Sequence, residues 1–206
     1  SAAQLLDEAG AVSISYDILR RKLSSFRTIP RGGELRRLWT VAYPQPFKQL
    51  VRRASKSADV PEAFVSGVIR EESGFNVGIE SFANAVGLMQ LLVPTGQMIA
   101  QKTEGKITRR RLQNPDLNVR LGARFLGYVQ RVSGAVRTLV PPGYNAGPGA
   151  VKRWLKRRGH LPLDLFVELI PYQEARDYTK KVNASFGIYG YLYESKKLMY
   201  ISQKTR

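Results

Sequence analysis

The sequence predicts a mainly α-helical domain with a minimal β/loop ledge, preceded by a short helical segment. Apolar residues recur at three- and four-residue spacing over most of the chain, prolines stand where first helical turns tolerate them, and only residues 73–87 form a long stretch without a helical period. With 206 residues, 43% of them apolar, the chain is sized for one ordinary domain, or one domain and a short appended piece.

A first helix is expected over residues 5–26, where Tyr16, Leu19, Leu23 and Phe26 share one side. Pro30, Gly32 and Gly33 stop it. Residues 34–45 read as a short helix and a connection in which Pro44 and Pro46 resist helix continuation. The domain edge is placed there, dividing a helical segment, 1–45, from a main domain, 46–206. Phe47, Leu50, Val51 and Ala54 then mark a helix, and a second opens around Pro61 and runs to Glu72. Residues 73–87 are richer in Gly, Asn and Ser and read as a loop with a small hairpin. Helix resumes over about 95–101 and again after Asn114-Pro115, an N-cap residue followed by a first-turn proline, with Val119, Gly122, Ala123 and Leu126 as its packing face. Further helices are expected around Val151, Trp154 and Leu155, and around Tyr178, Val182, Phe186 and Tyr189.

Lys and Arg number 33 against 16 Asp and Glu, a formal charge of +17 that attracts polyanions whatever the fold. The basic residues are scattered in twos and threes, as in Arg157-Arg158 and Lys196-Lys197, without the dense patch and interleaved aromatics of a nucleic-acid footprint. No specific nucleic-acid partner is therefore expected. Nor is a membrane span, since no stretch approaches the roughly 18 to 20 apolar residues that one requires, and residues 1–20 lack a signal-peptide pattern. The absence of cysteine excludes disulfides and thiolate metal sites, and His160, the single histidine, has no ordinary zinc partner set. No metal or organic cofactor is expected.

On the helix from Pro61, residues Val65, Val68 and Ile69 form one stripe, and Glu72 falls on its next position, whereas Glu71 points about 100° away. Burial disfavours a carboxylate, at about 1.4 kcal/mol per pKa unit, so such a group holds its proton near neutral pH. A general acid for glycosidic cleavage needs that property. Periodicity alone favours the plainer reading, a helix-end glutamate that turns to solvent or pairs with Arg70 or a distant Arg.

Glu72-Ser73 is followed by Gly87-Leu88-Met89-Gln90, with Ser81 in the loop between, then by Asn114, Pro115 and Asn118. Tyr144-Asn145-Ala146-Gly147-Pro148-Gly149, with Trp154 downstream, comes next, and Ile170-Pro171-Tyr172-Gln173-Glu174-Ala175-Arg176-Asp177-Tyr178 closes the series. In this order, across roughly residues 46–190, these motifs resemble the soluble lytic transglycosylase family, whose domain has the goose-type lysozyme fold. The departures are Asn84 where glycine is commoner, Val93-Pro94 where Met-Pro or Pro-x is usual, Gly143 for alanine and Ala175 for threonine.

The resemblance implies a single acid/base residue, Glu72, acting between N-acetylmuramic acid and N-acetylglucosamine of peptidoglycan, with a 1,6-anhydromuramyl product. It also implies Tyr144 and Asn145 as holders of the 2-acetamido group, Ser73 and Ser81 nearby, Met89 and Gln90 lining the sugar groove, and Glu174 as a second acidic cleft residue. Bland alternatives stand beside several of these: a core role for Tyr144 and Met89, a turn role for Asn145, and a helix-dipole role for Glu174. Location in the periplasm or cell envelope follows from the substrate, and residues 1–45 would be the end of an upstream superhelical region. Cleavage near Pro30 to Gly33 would then leave an active remainder. The competing functions are a muramidase, for which Glu80 is the only acidic residue in 74–87, a non-catalytic wall-binding protein, and a basic nucleic-acid binder.

Overall fold

A computed structural model describes residues 36–134 and 136–194, together with residues 11, 12, 14 and 16. The helix expected over 5–26 lies outside the described residues except at those four positions. The rest begins with α1 (Arg36–Ala42), α2 (Lys48–Ala58) and α3 (Glu62–Ser73). After an irregular segment come α4 (Val93–Ile99), α5 (Arg109–Leu112) and α6 (Pro115–Val132), then α7 (Val140–Asn145), α8 (Pro148–Arg158), α9 (Leu163–Glu168) and α10 (Gln173–Tyr193).

The helix starts follow from the residues that the sequence offered. Pro61 stands in extended conformation before α3, and Asn114 caps α6 by accepting the Leu117 N–H at 3.0 Å, with Pro115 next. Pro94 also lies in a first turn, so α4 begins at Val93, two residues ahead of the expected start. The periodicity did not reveal α5, α7 and α9, which run only 4, 6 and 6 residues and are too short to display a 3.6-residue repeat.

Buried on nearly every side, α3 buries Phe64, Val65, Val68 and Ile69 and makes its broadest contact with α10, while α2 lies along α6. That second contact is close because Gly127 lacks a side chain: a Cβ there would stand 2.6 Å from the carbonyl oxygen of Ala58. Since the obstacle is backbone, Gly127→Ala is expected to destabilise the fold by about 1 to 3 kcal/mol, read as a lower urea midpoint with unchanged slope. The segment ahead of residue 46 shares a core with α10. Trp39, Ala42 and Tyr43 cluster with Ile188, Tyr189 and Leu192, and the hydroxyls of Tyr189 and Tyr193 donate to the carbonyls of Pro44 (2.9 Å) and Tyr43 (2.7 Å).

The irregular ledge expected over 73–87 runs over residues 74–92, with antiparallel bridges joining Glu80 to Val86 and Val86 to Leu91. Asn84 has φ +63, so the departure from glycine keeps a residue that tolerates the left-handed region. Gly143 has a similar explanation in packing. A Cβ at that position would stand 2.5 Å from Val129 Cγ1, so α7 lies against α6 at a distance that alanine would disturb.

Candidate functional site

Glu72 stands on the last turn of α3 with a partly buried side chain. The Tyr178 hydroxyl, carried by α10, donates to Glu72 Oε1 at 2.6 Å. Burial of the carboxyl raises its pKa to about 7, the Tyr178 hydrogen bond opposes that rise, and the negative charges of Glu174 and Glu71 add to it. Tyr144, buried near the end of α7, donates to the Met89 carbonyl oxygen at 2.8 Å. Its phenol is pushed well above the usual range by burial and then by the charge of Glu72. Glu72, Tyr178, Tyr144 and Glu174 thus form one electrostatically coupled group supplied by three helices and braced by the ledge.

The neighbouring glutamate has a different fate. Glu71 turns inward, where its carboxylate accepts from Arg70 Nη1 and from Ser185 Oγ, the latter at 2.6 Å. Arg70, which the sequence alone offered as a partner for Glu72, is committed to Glu71, and it also donates to the Ala42 carbonyl at 3.3 Å. Glu72 has a neutral phenol as its hydrogen-bond donor, and among the described residues no cation is bonded to it to cancel the effect of its burial.

The remaining expected site residues divide into two groups. Asn145 and Glu174 meet at the exposed rim, where Asn145 Nδ2 donates to Glu174 Oε1 at 3.1 Å. Ser73 is buried, donates to the Ile69 carbonyl at 2.9 Å and accepts the Phe75 N–H at 3.1 Å, so its hydroxyl closes the end of α3. Ser81 accepts the Ala85 N–H at 3.1 Å and ties the ledge turn. Gln90 has φ +44 and its amide donates to the carbonyls of Ile79 (3.2 Å) and Gly87 (3.0 Å), so it fastens the ledge to itself.

Met89 corrects the expectation of a groove-lining side chain. It is 0% exposed and belongs to the central core, and what it offers the site is its carbonyl, to Tyr144. Its thioether lies against Gly122 of α6, where a Cβ would stand 2.3 Å from the Met89 sulfur, so the side chain points into the core.

Tyr178 is the residue that the sequence reading passed over. It was legible only as a member of the apolar stripe of α10 and as the last residue of the segment from Ile170. Its bond to Glu72 makes a pH-dependent prediction. Tyr178→Phe removes a donor that favours the ionised carboxylate, so the Glu72 pKa is expected to rise further, by about one unit for a charge-assisted bond of roughly 1.5 kcal/mol. A reaction that needs protonated Glu72 would then keep its activity to higher pH, and an alkaline limb that stays in place or moves down would refute the assignment.

Comparison with known proteins identifies the family and the fold. Residues 49–167 match the family model described as "Transglycosylase SLT domain". The chain is 32% identical over 152 residues to the soluble lytic murein transglycosylase of Escherichia coli K12, covering 72% of this chain and 24% of that protein. It is 30% identical over 159 residues to the membrane-bound lytic murein transglycosylase C of Actinobacillus pleuropneumoniae, covering 66% of this chain and 44% of that one. Among solved structures, the 70 kDa soluble lytic transglycosylase of Escherichia coli superposes with a TM-score of 0.81 at 26% identity, covering 95% of this chain and 30% of that one. A complex of the 70 kDa enzyme with bulgecin A gives a TM-score of 0.82 at 27% identity, over 96% of this chain and 31% of that one. The chain therefore spans about a quarter of the length of the soluble relative.

Proposed function

Because the chain belongs to the transglycosylase SLT domain family, with a mostly helical, lysozyme-like fold, we propose that it cleaves peptidoglycan glycan strands without hydrolysis, Glu72 serving as the single acid/base. The observation that carries this reading is a carboxyl raised to about 7 and held at 2.6 Å by Tyr178, with no cation bonded to it among the described residues.

Near neutral pH Glu72 is divided between its two forms, and each form has a task. Protonated, it gives its proton to the leaving oxygen of the β-1,4 bond between N-acetylmuramic acid and N-acetylglucosamine as that bond breaks. The positive charge that develops at carbon 1 is met by the substrate's own 2-acetamido carbonyl. Ionised, Glu72 then takes the proton from the muramic acid 6-hydroxyl, whose oxygen attacks carbon 1 and closes the 1,6-anhydro ring. Bonds and protons balance without water, and the intramolecular attack explains how one carboxyl suffices. Tyr178 supports the ionised form between the two steps, and Asn145 with Glu174 supplies polar groups at the rim for the acetamido group.

A muramidase would need a second carboxylate placed to activate water. Glu71 is occupied by Arg70 and Ser185, and Glu80 by Arg109 and Gln113, the Arg109 guanidinium holding the Glu80 carboxyl below its usual range. Both are poor candidates. Action on the bacterial wall would put the protein in the periplasm or cell envelope, and among the described residues no helix is long and apolar enough to cross a membrane.

The test is incubation with purified peptidoglycan and mass spectrometry of the released muropeptides, with Glu72→Gln as the control. Anhydromuramyl ends made by the unaltered chain alone are expected. Reducing ends would establish a muramidase instead, and no product from either chain would favour wall binding.

A further inference from the structure

Behind Glu72, the backbone that closes α3 is unusual. Gly74 ends the helix in the left-handed conformation, φ +54, and donates its N–H to the Arg70 carbonyl at 3.2 Å. Phe75 follows with φ +71, a region that residues with a bulky side chain rarely enter. Strain of this kind persists where the surroundings over-determine the conformation. One determinant is local, the Phe75 N–H donating to Ser73 Oγ at 3.1 Å.

The other comes from far upstream. Tyr16, buried at 4% exposure, lies against the turn: its ring meets the Phe75 ring edge-on, with centroids 5.7 Å apart and planes at 89°. Its Cδ1 and Cε1 atoms each lie 2.9 Å from the place a Cβ on Gly74 would occupy, so the ring rests on the glycine backbone itself. The same ring has Arg70 Cζ at 4.8 Å from its centroid, and the Tyr43 ring has it at 4.0 Å. Arg70 then carries the contact to Glu71 and to Ser185 of α10. Arg70 and Gly74 are four residues apart, on the face of the helix end turned roughly 200° from Glu72.

We propose that Tyr16, although it lies ahead of the matched domain at residues 49–167, is a positioning residue that fixes Glu72 from behind by clamping Arg70 and the Gly74-Phe75 turn. The contacts to Gly74, Phe75 and Arg70 are made by the ring. Tyr16 touches no reacting atom, and its effect on catalysis rests on the role of Glu72 given above.

The test uses the full chain, with Tyr16→Ala and Tyr16→Phe, and reads amide hydrogen exchange before activity. In Tyr16→Ala, protection of the Gly74 and Phe75 amides is expected to fall about tenfold or more while α6 amides keep theirs, since local opening is separable from global unfolding. On peptidoglycan, kcat is expected to fall by at least about tenfold with KM little changed, as for a displaced catalytic group. Tyr16→Phe, which retains the ring, is expected to restore both.

Unchanged protection in Tyr16→Ala would overturn the proposal, as would a loss spread evenly over the whole chain, which marks a merely structural role. A Tyr16→Phe variant as impaired as Tyr16→Ala would overturn it too, by moving the effect to the hydroxyl. If the unaltered chain makes no product, the failure lies with the function proposed for Glu72, and the exchange measurement still decides whether Tyr16 holds the turn.

Discussion

Glu72→Gln is expected to lower anhydromuramyl product formation by about 10²- to 10⁴-fold, the range that a general acid supplies, while making the fold more stable above neutral pH. The two effects have one cause. In the folded chain the Glu72 carboxyl titrates near 7, against 4.5 for an ordinary glutamate, chiefly because burial penalises its charge. The folded state therefore binds this proton more tightly than the unfolded state does. As pH rises from about 4.5 through about 7, the stability of the unaltered chain declines by up to about 3 kcal/mol and then levels off.

Glutamine has the same shape, keeps an oxygen to accept the Tyr178 hydroxyl, and carries no charge to desolvate. The variant is thus expected to melt higher than the unaltered chain at pH 8 and at nearly the same temperature at pH 4. Thermal melts at these two pH values, paired with the product assay, check both halves. Equal stability at pH 8 would mean that Glu72 is hydrated and titrates normally, which would remove the basis for its acid role even if the variant were inactive.

The parts of the site legible from sequence were those that repeat or that punctuate. The stripe through Val65, Val68 and Ile69 placed Glu72 on the apolar side of its helix, and Pro61 and Asn114 marked helix starts that the structure retains. Polar side chains that spend their hydrogen bonds on backbone were less legible. Ser73, Ser81 and Gln90 all fasten turns, and nothing in a one-dimensional pattern distinguishes a hydroxyl aimed at a ligand from one aimed at the next peptide group. Tyr178 was hidden for the opposite reason: a phenol can satisfy an apolar stripe with its ring and a catalytic group with its hydroxyl, and periodicity reports only the ring. The pairing of Glu71 with Arg70 required knowing that α10 brings Ser185 alongside, a contact across 114 residues.

Asn118→Leu is expected to have the largest effect on stability, roughly 3 to 5 kcal/mol, because it removes a buried hub at nearly constant volume. Asn118 is 0% exposed. Its Oδ1 accepts the Met89 N–H at 2.8 Å, and its Nδ2 donates to the carbonyls of Val86 (2.8 Å) and Leu112 (2.9 Å). The Met89 N–H and the Leu112 carbonyl would lose this partner inside the core, while the Val86 carbonyl would keep the Leu91 N–H at 3.1 Å, and a bond lost in the core is costlier than an exposed one. The ledge is built around this amide. Gly87 has φ +76, and a Cβ there would stand 2.6 Å from Asn118 Nδ2 and 2.9 Å from the Leu112 oxygen, so the glycine is what lets the hub approach. Because the Met89 carbonyl accepts from Tyr144, a shifted ledge also withdraws the acceptor that orients Tyr144 beside Glu72. Urea unfolding should therefore show a large drop in midpoint, and near-ultraviolet circular dichroism at low urea should show Tyr144 and its neighbour Phe125 already disturbed. Gln90→Ala, which removes bonds only at the partly exposed surface of the same ledge, is the comparison. If the two variants proved equally mild, the ledge would be held by its apolar residues, and the amide of Asn118 would be incidental to the site.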